Sequence, residues 1–202
     1  LIRKILEACQ LVGSKILRIV ASPHPTIPNQ TVVPPPADEL DLYVENMTKI
    51  ADESARAGIR IAIENHSGIT TPSLLEVIDR INHPYVGICL DTANSLACLE
   101  NPLHTVNLLA PHTFSVHLKD YEIVTRFPGP GFEVVGTSLG RGALPVKQVL
   151  DLLQSKCPQA TIHVETFMPL MDTVEDTLRV EEQAVQESIE LFSCLSRCPY
   201  HT

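Results

Sequence analysis

Four apolar runs in this chain end in a side chain that can ligate a metal: IAI before Glu64, ICL before Asp91, SV before His117 and HV before Glu165. Each run is strand-like, and each is separated from the next by a stretch of helical periodicity. Strands that alternate with helices of this length imply βαβ units on a parallel sheet. A doubly wound nucleotide-binding sheet would show a Gly-rich turn after its first strand. No GxGxxG or phosphate-loop motif occurs. Polar chemistry at the C-terminal end of strand after strand points instead to a (β/α)-barrel, whose active sites sit at that face.

The spacing predicts strands over 15–22, 59–66, 85–94, 113–120 and 160–167, and helices over 38–57, 71–81, 101–110, 145–156 and 174–196. Gly58 is placed to end one helix and Pro72 to begin another. The opening residues 1–13 form a helix with Ile2, Ile5, Leu6 and Cys9 on one face. With no initiator Met and no capping residue, the chain reads as starting in mid-helix. Residues 23–36 are a Pro-rich stretch, long enough for a functional loop or lid, and 121–144, rich in Gly and Pro, reads as irregular. A closed barrel needs eight strands and about 250 residues, whereas about five βα units fit into these 202 residues. The expectation is one domain over 1–202, an incomplete (β/α)8 barrel lacking its first three units, with sheet edges and part of the interior exposed.

A carboxylate at the end of a buried strand is costly to desolvate unless something compensates it. One cation shared by Glu64, Asp91, His117 and Glu165 would do so. Three oxygens and one nitrogen suit Mn²⁺ or Mg²⁺, with Co²⁺ and Zn²⁺ compatible, and two positions would remain for a chelating substrate. Taken singly, each residue is as well explained as a helix cap, a loop ion pair or a satisfied His; four in register carry the metal reading. Around them, His66, Asn94, Lys119 and Asp120 follow the donors by two or three residues and are candidates for lining the site. Arg126 and Arg141 lie in the Gly/Pro stretch, where they could reach a sugar hydroxyl or phosphate or remain solvated. His163 shares strand parity with Glu165 and is expected as core filler with a hydrogen bond.

The net charge of −9 and pI of 5.3, without a Lys/Arg cluster, disfavour a nucleic-acid partner. Six Cys without a CxxC pair suggest reduced thiols and a cytoplasmic protein. Cys194 and Cys198, four apart on the final helix, are expected as structural filler. No apolar run approaches the ~20 residues of a membrane span.

The segments IENHSG, GICLDTANSL, SVHLKD, a later GRG and HVETF resemble the xylose-isomerase-like barrel superfamily, in particular its sugar-phosphate isomerase/epimerase branch with the ketose 3-epimerases. The resemblance runs from about residue 15 onward. It implies one divalent ion on Glu64, Asp91, His117 and Glu165, with Glu64 and Glu165 also catalytic. The ion would hold two vicinal oxygens of a keto sugar, polarise the carbonyl and stabilise an ene-diolate. One glutamate would take the proton and the other return one to the opposite face. His66, Asn94, Lys119 and Arg126 would bind substrate; at the position of Asn94 those epimerases typically carry a His. Dimers are frequent in similar proteins, and an open barrel edge would favour association. Rival expectations are a dehydratase or hydroxypyruvate isomerase of the same fold, an endonuclease IV-like nuclease, which uses several zinc ions and more His ligands, and a non-catalytic truncated barrel serving as a binding or assembly module.

Overall fold

Runs of Ile, Val and Leu alternating with small or polar residues make strands with one greasy face, and that face must be covered. In the computed structural model of the chain, which describes residues 1–20, 37–125 and 128–197, helices cover it. The elements are α1 (Ile2–Leu11), β1 (Ile16–Val20), α2 (Ala37–Ala57), β2 (Arg60–Glu64), α3 (Thr71–Ile81), β3 (Val86–Asp91), α4 (Pro102–Leu109), β4 (Thr113–Leu118), β5 (Asp120–Thr125), β6 (Phe132–Thr137), α5 (Val146–Lys156), β7 (Thr161–Val164) and α6 (Val174–Arg197), with short 3-10 turns at Asn94–Cys98 and Ala110–His112. Five strands form one parallel sheet in the order β1-β2-β3-β4-β7, and β5 and β6 form a separate antiparallel hairpin. This is a half-barrel, an incomplete TIM barrel of βα units, as the spacing predicts. The Pro-rich stretch 23–36 lies outside the described residues.

The period of two sorts the two faces. Ile19, Ile61, Ile63, Ile88, Leu90, Val116, Leu118, Ile162 and Val164 join Leu74, Val77 and Ile78 of α3, Val106 and Leu109 of α4, and Val149 and Leu153 of α5 in one core. The intervening residues Arg18, Ala62, Glu64, Cys89, Asp91, Ser115, His117 and His163 belong to the concave face. A register shift between Ile88 and Cys89 leaves Phe114 as an extra residue in β4. Its ring meets the Arg60 guanidinium, 4.7 Å from the ring centre. Only Gly fits at position 87 beside it, because a Cβ there would lie 2.7 Å from the Phe114 ring and 2.6 Å from the His112 carbonyl.

Helix boundaries follow the local signals. Thr70 caps α3 by accepting from the Ser73 N–H, Asn101 caps α4 by accepting from the His104 N–H, and Pro72 and Pro102 fill first-turn positions where no N–H is needed. Gly58 leaves α2 with φ +70°, a left-handed conformation that favours glycine. The N-terminal caps at Thr70 and Asn101 are each worth about 1 kcal/mol.

Two expectations are corrected. The stretch 121–144 is irregular only in part, because YEIVT and FEVVGT pair as the β5–β6 hairpin around the PGPG turn. Cys194 is exposed on α6 and fills no core; Cys198 lies outside the described residues. Among the described residues the outer strands β1 and β7 have one sheet neighbour each. The half-barrel's exposed aliphatic side chains gather on the terminal helices, including Leu11 and Val12 at the end of α1 and Val174, Leu178, Val185 and Ile189 along α6. No helix among the described residues is long and apolar enough to cross a membrane.

Candidate metal centre

The C-terminal ends of adjacent parallel strands lie side by side, so residues that end them meet. Glu64 closes β2, Asp91 closes β3, His117 is the penultimate residue of β4, and Glu165 follows β7 directly. Glu64, Asp91 and His117 each offer a ligand atom, all within 4.8 Å of one another. Glu165 is not part of that trio but adjoins it, with Oε2 2.7 Å from His117 Nδ1.

The residues next to the donors fix them. The Asn65 side chain accepts from the Asp91 N–H at 2.7 Å and donates to the Asp91 carbonyl at 2.9 Å, fastening the end of β2 to β3. Thr92 does the same one strand on: its hydroxyl donates to the Lys119 carbonyl and accepts from the Lys119 N–H, both at 2.8 Å. The Glu165 N–H donates to the Leu118 carbonyl at 3.1 Å. Asp91 Oδ1 accepts from the Ala93 and Asn94 N–H groups, both at 2.9 Å, which sets its rotamer. The Asn94 amide donates to Glu64 Oε1 at 3.3 Å.

Three carboxylates in this space are balanced by protein cations. Lys119 Nζ stands 2.8 Å from Asp91 Oδ2 and 3.1 Å from Glu165 Oε1. Arg18 of β1 pairs with Glu64 Oε2. Burial pushes the Asp91 carboxyl up, and Lys119 and the turn N–H groups only partly oppose it. Burial also acts upward on Glu64, but His117 and Arg18 outweigh it and the net shift is downward. The Glu165 carboxyl, facing the His117 ring and Lys119, is held down at about 2. The His117 imidazole is raised to about 11 by the Cys89 side chain below it and by the carboxylates of Glu165 and Glu64.

The donor set fits a divalent ion. Asp91 Oδ2 and His117 Nδ1 are buried, and neither makes an aligned hydrogen bond despite its close charged neighbour. Buried polar atoms are normally satisfied, and both atoms are ligand atoms. Carboxylate oxygens with one imidazole match the preferences of Mg²⁺, Mn²⁺ or Zn²⁺.

Of the candidate lining residues, the structure brings Asn94 and Lys119 into the donor cluster. His66 turns to Ser67, whose hydroxyl lies 3.0 Å from its Nδ1. Arg126 lies outside the described residues. Arg141 pairs with Glu187 on the surface at 2.9 Å. Asp120 is a loop anchor: its carboxylate accepts from the N–H groups of Tyr121, Gly140, Gly142 and Leu144. A Cβ on Gly142 would lie 2.3 Å from Asp120 Oδ1, which explains the GRG sequence. His163, expected as core filler, is instead exposed and stands edge-on to His117 with ring centres 6.2 Å apart; among the described residues β7 pairs with β4 alone. Sequence reasoning missed Arg18, Asn65 and Thr92. For the latter two a signal exists, since each immediately follows a donor in sequence and is an amide or hydroxyl.

Known proteins share this fold. Over 151 residues the chain is 28% identical to a 3-oxo-isoapionate decarboxylase of Pectobacterium atrosepticum, a match covering 75% of this chain and 54% of that enzyme. The chain thus spans about half the length of this curated relative. Among solved structures, the IolI protein with a bound zinc atom superposes with a TM-score of 0.70 at 22% identity, covering 98% of this chain and 69% of that one. A magnesium complex from Mycobacterium smegmatis gives 0.69 at 16% identity, covering 92% and 64%. An L-ribulose 3-epimerase gives 0.69 at 14% identity, covering 95% and 64%. At these identities the structural likeness concerns the fold. The sequence model of the xylose isomerase-like TIM barrels matches residues 1–193, and the chain belongs to that family.

Proposed function

We propose that this chain carries the active site of a metal-dependent isomerase or epimerase acting on a keto sugar or related polyol, with one divalent ion, Mn²⁺ by preference, held by Glu64, Asp91, His117 and Glu165. The observation that carries the reading is the convergence of Glu64, Asp91 and His117, whose ligand atoms lie within 4.8 Å of one another at the ends of adjacent buried strands. Kinship with enzymes that include a sugar epimerase and a sugar-acid decarboxylase supports it. Residues 1–202 are taken as one domain, its partners as a small molecule and a second copy, with no role for nucleic acid, and its place as the cytoplasm.

A bound ion would act as a Lewis acid toward two vicinal substrate oxygens. The rest is the work of side chains. Glu64 and Glu165 both face His117, and both carboxyls are shifted down, so each is ionised at neutral pH and able to accept a proton. One takes the proton from the hydroxyl-bearing carbon next to the carbonyl. Delivery to the opposite face of that carbon by the other gives an epimer, and, where the deprotonated carbon is the terminal C1, delivery to the carbonyl carbon gives an aldose. Lys119, fixed between Asp91 and Glu165, places a positive charge where an oxygen turns negative. Asn94 steadies Glu64 and can bond a hydroxyl; His66 and Arg126 are assigned to substrate from sequence position.

The test is metal content of the purified chain by elemental analysis, followed by exchange of ketose C–H protons with D₂O. Near one equivalent of metal, lost in Asp91→Ala, and exchange lost in Glu165→Gln are expected. No metal in the wild type after soaking in Mn²⁺ would sink the reading. Strands β1 and β7, each paired on one side among the described residues, favour a second reading, a non-catalytic binding module. It predicts no exchange with Mn²⁺ present and ligand binding indifferent to Glu165→Gln.

A further inference from the structure

Arg18 has no counterpart in the chemistry assigned above. It sits on β1 opposite Ala62, on the concave face, and its guanidinium reaches Glu64 Oε2. Its side chain is 48% exposed, against 11% for Lys119. Lys119 is enclosed between two carboxylates, whereas the Arg18 guanidinium is open on one side. A guanidinium has five N–H donors in a fixed fork suited to oxyanions, and the described partner of Arg18 is a single carboxylate.

The charges around the donors point the same way. Glu64, Asp91 and Glu165 bring three negative charges, and Arg18 and Lys119 bring two positive ones. An imidazole that ligates a metal is neutral. With a divalent ion in place the cluster therefore holds one positive charge in excess. The chain as a whole carries −9 and repels anions, so a local positive excess beside a half-exposed guanidinium is selective. A neutral ketose leaves that charge unmet, a carboxylate cancels it, and a phosphate monoester dianion overshoots it.

We infer that the substrate is a keto polyol bearing an oxyanion, specifically a carboxylate, and that Arg18 is the residue that holds it. This rests on the metal-dependent reading of the site and names its substrate class.

Three ligands with the same ketose end and different C6 groups test it: D-fructose, D-fructuronate and D-fructose 6-phosphate. Each is titrated calorimetrically into the Mn²⁺-loaded chain, after the metal step has been measured by itself. Failure to load Mn²⁺ would count against the underlying site, and is seen before any sugar is added. With the metal loaded, D-fructuronate is expected to bind about tenfold or more tighter than D-fructose, the increment of a charged hydrogen-bonded pair. In Arg18→Gln that ratio falls to about one while Mn²⁺ still binds, and Arg18→Lys restores part of it. Raising the salt concentration should shrink the ratio in the wild type and leave Arg18→Gln unchanged. Equal or undetectable binding of all three, or a preference that survives Arg18→Gln, overturns the inference. Tighter binding of D-fructose 6-phosphate than of D-fructuronate overturns the carboxylate assignment.

Discussion

Asp91 and Glu165 are both strand-end carboxylates, and both lean on the same Lys119 ammonium. They sit in very different surroundings. Asp91, in the middle of the sheet, is fully buried, with its backbone fastened by Asn65 and one carboxylate oxygen held by two turn N–H groups. Glu165, past the end of an outer strand, is 42% exposed, and its carboxylate is held by ion pairs with His117 and Lys119. The centre of the sheet positions a donor with backbone geometry, which salt and pH barely touch. The edge positions one with charge, which can yield when another ion or a substrate arrives.

The comparison can be broken or sharpened by four measurements. The largest effect is expected from Asp91→Ala, which leaves the Lys119 ammonium buried opposite an empty space. Denaturant unfolding should show a loss of about 3–5 kcal/mol together with loss of bound metal. A cost no larger than that of Glu165→Gln would erase the distinction. Next comes Asn65→Ala, which strips two bonds from the Asp91 backbone and should cost about 2 kcal/mol, visible as a lower thermal midpoint although no donor is touched.

Glu165→Gln should change stability by less than about 1 kcal/mol at neutral pH, since its pairs are half exposed, yet abolish C–H exchange. Smallest is the acid limb of the stability curve. A carboxyl held at about 2 and released to an ordinary value near 4.5 on unfolding stabilises the fold above that range and loses the contribution as pH falls through it. The metal-free wild type should therefore lose stability more steeply than Glu165→Gln between those values. Asp91, whose carboxyl is raised, has the opposite sign and contributes no such loss.

Much of this was legible in the sequence because it depends on local periodicity. The alternation of IRIAIE and YVGICLD, the caps at Thr70 and Asn101, and the placement of Glu64, Asp91 and His117 at strand ends need only neighbours along the chain. What stayed hidden depends on neighbours across the sheet. Arg18 looks like any polar residue in KILRIV; its meaning comes from a strand pairing that sets it beside β2, where it reaches Glu64, 46 residues away. His163 has the parity of an interior residue, and only the strand order shows that its strand is an outer one. The β5–β6 hairpin was obscured by the Gly and Pro of its own turn, although the Val and Thr on either side carry strand propensity.

The paired cations have one more consequence. Because Lys119 and Arg18 already neutralise most of the donor charge, an ion would enter a socket largely balanced without it, and not a bare anionic hole. In zinc fingers the metal supplies the folding energy, and chelation unfolds the chain. Here the ammonium and guanidinium ion pairs hold the socket's shape by themselves. A chelator should therefore empty the site reversibly, leaving circular dichroism unchanged and the chain ready to take up an ion again.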